Sequence, residues 1–100
     1  QPGEGPTEAE RDNGWFDCKF IVETEGGEKS VFAMHGKGDP GYKVTSKLVS
    51  ECALCLVENA GELPGGDGYG GVLTSASGLG EALIARLSKV GIHFDGPFNT

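Results

Sequence analysis

Two motifs with chemical meaning fall within MHGKGDPGYKVTSKLVSECALCLV, residues 34–57. Gly36-x-Gly38-x-x-Gly41 has the spacing of a strand-to-helix turn whose backbone amides cradle a dinucleotide pyrophosphate. Cys52-x-x-Cys55 has the spacing of a redox or zinc-binding thiol pair. The remaining residues suited to ligation or proton transfer are Cys18, His35 and His93. Whether either motif performs its chemistry depends on the elements that hold it.

For the glycines, the elements are unfavourable. The strand expected before them pairs as one arm of a hairpin, whereas the fingerprint belongs to a parallel βαβ unit. Pro40 occupies the turn and removes an amide that would face the phosphates. No second strand ending in an acid follows at the usual distance; Glu58 has that spacing but falls on the same helix as the motif. A second match, Gly66-x-Gly68-x-x-Gly71, follows no strand, and a chain with 18 glycines produces such matches by chance. The glycines therefore read as a tight turn, with no cofactor site in this chain.

The thiols meet a similar objection. A redox pair sits at a helix N-terminus, where amides and dipole stabilise the thiolate. Cys52 falls about three turns into a helix, on its apolar side, where a cysteine behaves as a small hydrophobe. Zinc needs four ligands, and Cys18, His35 and His93 lack a recognisable spacing to supply the other two. The two histidines fall in strands without a carboxylate nearby in sequence. No catalytic and no metal residues are assigned.

The rest of the chain reads as one α+β domain in the order ββαα(β), an antiparallel hairpin and short C-terminal strand packed by two helices. Residues 1–13 are polar with Pro and Gly and read as a linker or disordered tail; the domain is expected over 14–96 and a second tail over 97–100. Period-two alternation from Trp15 to Glu23 places Phe16, Cys18, Phe20 and Val22 on one face of a first strand. A glycine-bearing turn leads to a second strand from about Lys29 to His35. The long helix is expected from Pro40, capped by Asp39. Val44, Leu48, Cys52, Cys55 and Leu56 form its stripe, and the run from Cys52 to Val57 is apolar on every side, so it should be covered nearly all round. An extra short strand at 72–74 is expected, then a helix from about Leu79 to Val90 and a last strand at "IHF". Leu79, Leu83, Leu87 and Val90 face the core.

The net charge of −7 argues against nucleic acid as a partner. No apolar run reaches the length of a transmembrane segment. An odd number of cysteines without a disulfide framework fits an intracellular, reducing compartment, and the cytoplasm is expected.

Three segments, GEGPTEAERDNGWF, KGDPGYKVTSKLVSECALCLV and GGVLTSASGLGEALIARLSKVGIHF, together resemble the C-terminal end of the saccharopine dehydrogenase-like oxidoreductases, a group that includes trans-acting enoyl reductases. The likeness runs from about Gly3 to Phe94 and departs at Ser75, where relatives commonly have Pro. It implies an NAD(P)-dependent parent enzyme whose N-terminal Rossmann domain is the principal partner of this segment. This chain would then be a substrate-cleft and assembly domain, not catalytic in isolation, with a homodimer contact expected. No catalytic motif of the family matches a position here. Asp39, Gly41 and Tyr42 are the substrate-cleft candidates, because their turn opens a helix whose free amides favour an anionic or polar group. The rival reading is a free-standing interaction module that pairs through its sheet edge.

Overall fold

The computed structural model describes residues 2–66 and 68–98. Three strands, β1 (Trp15–Glu23), β2 (Lys29–Lys37) and β3 (Ile92–Phe98), form an antiparallel sheet in the order β1-β2-β3. The α+β class and the ββααβ order are those expected. β1 and β2 pair in full register from Trp15↔Lys37 to Glu23↔Lys29. The turn between them closes through Thr24, whose carbonyl accepts from Gly27 N at 2.9 Å and whose amide donates to Glu28 O at 2.9 Å.

Alternation sorts the strands into two faces. Phe16, Gly36 and Ile92 are neighbours on the inner face, followed by Cys18, Met34 and Phe94. The outer face aligns Asp17, His35 and His93. Two helices, α2 (Lys43–Glu58) and α3 (Ser75–Lys89), cover one end of the inner face. Val44, Cys55, Leu79, Leu83, Leu87 and Ile92 are buried there, with Phe16, Met34, Leu48 and Cys52 packed around them. Each large aliphatic side chain so buried stabilises the fold by about 1.5–3 kcal/mol. Arg86 of α3 ties the helices together: Nε donates to Glu51 and Nη1 to Glu58, both at 2.7 Å. Hydrogen bonds to Glu58 and Glu51 hold the guanidinium pKa above its already high ordinary value.

Several expectations are corrected. Residues 8–13 form a helix, α1 (Glu8–Asn13), inside the segment expected to be a tail. Its cause is written in Thr7-x-x-Glu10: the Thr7 hydroxyl accepts from Glu10 N, and the Glu10 carboxylate accepts from Thr7 N. Asp39 N donates to Arg11 O, and Lys43 pairs with Asp12, fixing α1 to the start of α2. β3 continues through Phe98, beyond "IHF" and into the expected C-terminal tail. Residues 72–74 form no strand; Val72 is fully exposed, and Thr74 serves as the N-cap of α3, which starts at Ser75, four residues ahead of the expected Leu79. Gly80 (φ 55°, ψ −139°) kinks that helix, and a Cβ there would stand 2.7 Å from Pro64 Cγ.

The largest correction concerns α2. Its run from Cys52 to Val57 is not covered all round: Cys55 is fully buried and Cys52 partly so, but Leu54, Leu56 and Val57 are 42%, 58% and 80% exposed. α3 and the sheet reach only one side of the helix. Val49, Ala53 and Leu56 mark a second apolar stripe at four- and three-residue spacing, and it faces water.

Candidate functional site

The expected cleft residues come together at the β2–α2 junction. The Asp39 carboxylate accepts from Tyr42 N at 2.7 Å, closing a turn over Pro40 and Gly41. α2 then opens at Lys43, three residues later than the sequence suggested, because the bond closes a turn outside the helix and Tyr42 (φ −127°, ψ −61°) is not helical. The Asp39 carbonyl accepts from Val44 N at 2.9 Å, so this residue serves the chain entry twice. Tyr42 is 60% exposed, with its ring edge beside Gly5.

The glycine motif is shaped by packing. Gly36 lies within β2, and a Cβ there would stand 2.9 Å from Phe16 Cε1 and 3.1 Å from Gly91 O. The space beside Gly36 is filled by a ring and a carbonyl, and a Cβ at Gly38 would stand 3.3 Å from the Lys43 and Val44 side chains. Gly38 is buried with φ 105°, a conformation that favours glycine. Burial raises the Cys55 thiol pKa above its ordinary value of 9.0 and keeps it protonated. Among the described residues no group of three or more His, Cys, Asp or Glu is placed to hold a metal ion.

The fold assembles another constellation from distant residues. His35 of β2 and His93 of β3 are register partners, with ring centroids 5.6 Å apart and planes tilted by 40°. Asp95 lies on the same outer face, and its Oδ2 is 2.5 Å from His35 Nε2. Beside the pair a cavity of about 650 Å³ is lined by Trp15, Asp17, Lys37, Lys47 and His93. The His35 and Asp95 side chains are 43% and 52% exposed, so their contact adds only about 0–1 kcal/mol of stability. Its chemical capacity is proton transfer at a solvent-facing surface beside an aromatic wall.

Sequence reasoning found no carboxylate for His35 because the partner lies 60 residues away. The available signal was His93-x-Asp95: if the last strand ran past Phe94 and paired with β2, both side chains would share a face with His35.

The chain is 38% identical over 92 residues to proteins of two Mycobacterium tuberculosis strains provisionally named trans-acting enoyl reductases. It is 32% identical over 92 residues to the trans-acting enoyl reductase of Mycobacterium ulcerans. The matches take in 92% of this chain and 21% of each relative, so the chain spans about a fifth of the length of the curated relatives it matches. No family model and no solved structure matches it.

Proposed function

We propose that this chain is the substrate-cleft and assembly portion of a larger NAD(P)-dependent oxidoreductase of the enoyl reductase kind, within the saccharopine dehydrogenase-like group. The nucleotide-binding domain lies elsewhere in that polypeptide, and this segment does not turn over by itself. The observation that carries the reading is the second apolar stripe of α2. A helix that is apolar on opposite sides is stable when both sides are covered, and here one side packs on α3 while Val49, Ala53 and Leu56 face water. At its C-terminal end the stripe opens into a cavity of about 400 Å³ lined by Leu56, Leu63, Tyr69 and Leu73. The match to a fifth of longer reductase-named proteins supports the same view, because the rest of such a protein is available to cover the stripe.

The test places a charge on the stripe in two contexts. Leu56→Asp should destabilise the protein expressed from its full reading frame by roughly 2 kcal/mol or more, because the carboxylate would be buried against the covering domain. In the separate 100-residue chain, where the side chain meets water, the change should stay within about 0.5 kcal/mol. Thermal unfolding of both pairs checks this, and an equally small shift in the two contexts would sink the reading.

A further inference from the structure

β1 is an edge strand. It pairs with β2 on one side, and among the described residues no strand pairs with its other side from Trp15 to Glu23. Its side chains are unusual for an exposed edge. Trp15 and Ile21 are 73% and 74% exposed on the outer face, and between them stand Asp17 and Lys19, both exposed. Among the described residues neither of these two charges has an ion-pair partner. A lone lysine on an edge deters pairing. An aspartate two residues away on the same face changes that, because the strand then carries both halves of a pair.

We propose that the free edge of β1 joins a second copy of this chain, two-fold about Cys18, making one continuous six-stranded antiparallel sheet. Residues directly opposite across an antiparallel pair share a face. In this register, Asp17 of each copy opposes Lys19 of the other, so the two free charges satisfy each other twice. Trp15 opposes Ile21 on the same outer face, and Phe16 opposes Phe20 on the inner face. Cys18, which is exposed, opposes itself on the axis.

Charge selects this register over its neighbours. Centring on Lys19 sets two ammonium groups against each other and puts Trp15 opposite Glu23. Centring on Asp17 opposes two carboxylates. A slip to Ile21 pairs Lys19 with Glu23, a residue 3.6 Å from Lys29 of its own chain, and leaves Trp15 outside the paired length. The Cys18 register also carries Ile21 of the second copy against Trp15, at the rim of the cavity beside His35. The second copy thus completes the wall of that cavity.

The test uses the protein expressed from its full reading frame. Sedimentation velocity should show a dimer at micromolar concentration. Mild copper–phenanthroline oxidation should join the two Cys18 thiols, which together release two protons to solvent and pass two electrons to the copper complex as the S–S bond forms. Opposed residues in an antiparallel pair lie at Cα separations that a disulfide spans. Peptide mass spectrometry would identify the Cys18–Cys18 link. Asp17→Lys or Lys19→Asp, each setting like charges opposite, should weaken association at least tenfold. The double variant Asp17→Lys/Lys19→Asp should restore it to within about threefold. Circular dichroism checks that the variants fold, and if a single variant does not, the Cys18 link in the unaltered protein decides. A monomer, a dimer without that link, or a dimer indifferent to the charge changes would each overturn the proposal. A monomer would also point to another strand of the same polypeptide on this edge.

Discussion

Gly36 explains why a nucleotide-binding signature here serves a different purpose. Its missing side chain lets β1, β2 and the end of α3 meet: the Phe16 ring and the Gly91 carbonyl take the space a Cβ would need, at 2.9 and 3.1 Å. Gly41, in the same motif, faces only the Asp39 carboxylate, at 3.5 Å. The two glycines should therefore respond differently to substitution. Gly36→Ala should destabilise by about 1–3 kcal/mol through overpacking, and Gly41→Ala by less than about 1 kcal/mol. Urea unfolding separates them, and equal costs would show that the motif acts through something other than packing. The hairpin arm before the glycines was legible in the residues, but the strand runs on through Lys37, so Gly36 belongs to β2 and only Gly38 and Gly41 fall in the turn. The His35–Asp95 pair was not legible in the same way, because it depends on β3 reaching past Phe94, and Gly96-Pro97 reads locally as an end to pairing.

At the scale of elements, legibility followed the strength of the periodic signal. The bounds of β1 match those expected, because Phe16, Cys18, Phe20 and Val22 recur at every second position between a glycine and a turn. The inward stripe of α3 was also right, since Leu79, Leu83 and Leu87 are all buried. α2 was misjudged where periodicity was absent: an all-apolar run does not say which of its sides this chain can cover. The thiols of α2 and β1 report on how far the cover extends. Cys55 is fully buried while Cys18, on the uncovered stretch of β1, is exposed, against the expectation of an inward-facing half-buried strand. Maleimide labelling of native protein should modify Cys18 at least roughly 100-fold faster than Cys55, which waits for the helix pair to open. The raised pKa of Cys55 adds a pH dependence of defined sign. Between the unfolded and the folded pKa, the unfolded chain has released the thiol proton and the folded chain has not. Stability therefore falls as pH rises from about the ordinary value of 9.0 through the folded-state value. Thermal melts in reductant across that window should show the loss, and Cys55→Ala should flatten it.

For the molecule as a whole, the radius of gyration of 16.0 Å exceeds the roughly 13 Å of a compact 100-residue domain. The cause is visible in the layers. The helices cover the end of the sheet near Phe16 and Ile92, and the hairpin continues past them with Phe20, Val22 and Phe32 at 47%, 46% and 37% exposure. Much apolar surface that a compact domain would hide is already wetted in the folded chain. Heat capacity registers that condition, because the increment on unfolding follows newly exposed apolar area. A compact domain of this length gains about 1.2–1.5 kcal/mol/K. The separate chain, scanned at concentrations too low for strand pairing, should gain distinctly less, and a full-sized increment would mean the hairpin folds back onto the helices in solution. Its stability dome should be correspondingly flat, so that temperature alone distinguishes its folded and unfolded forms only weakly over a wide range. A hairpin left projecting beyond its helices thus makes the separated segment thermally indifferent.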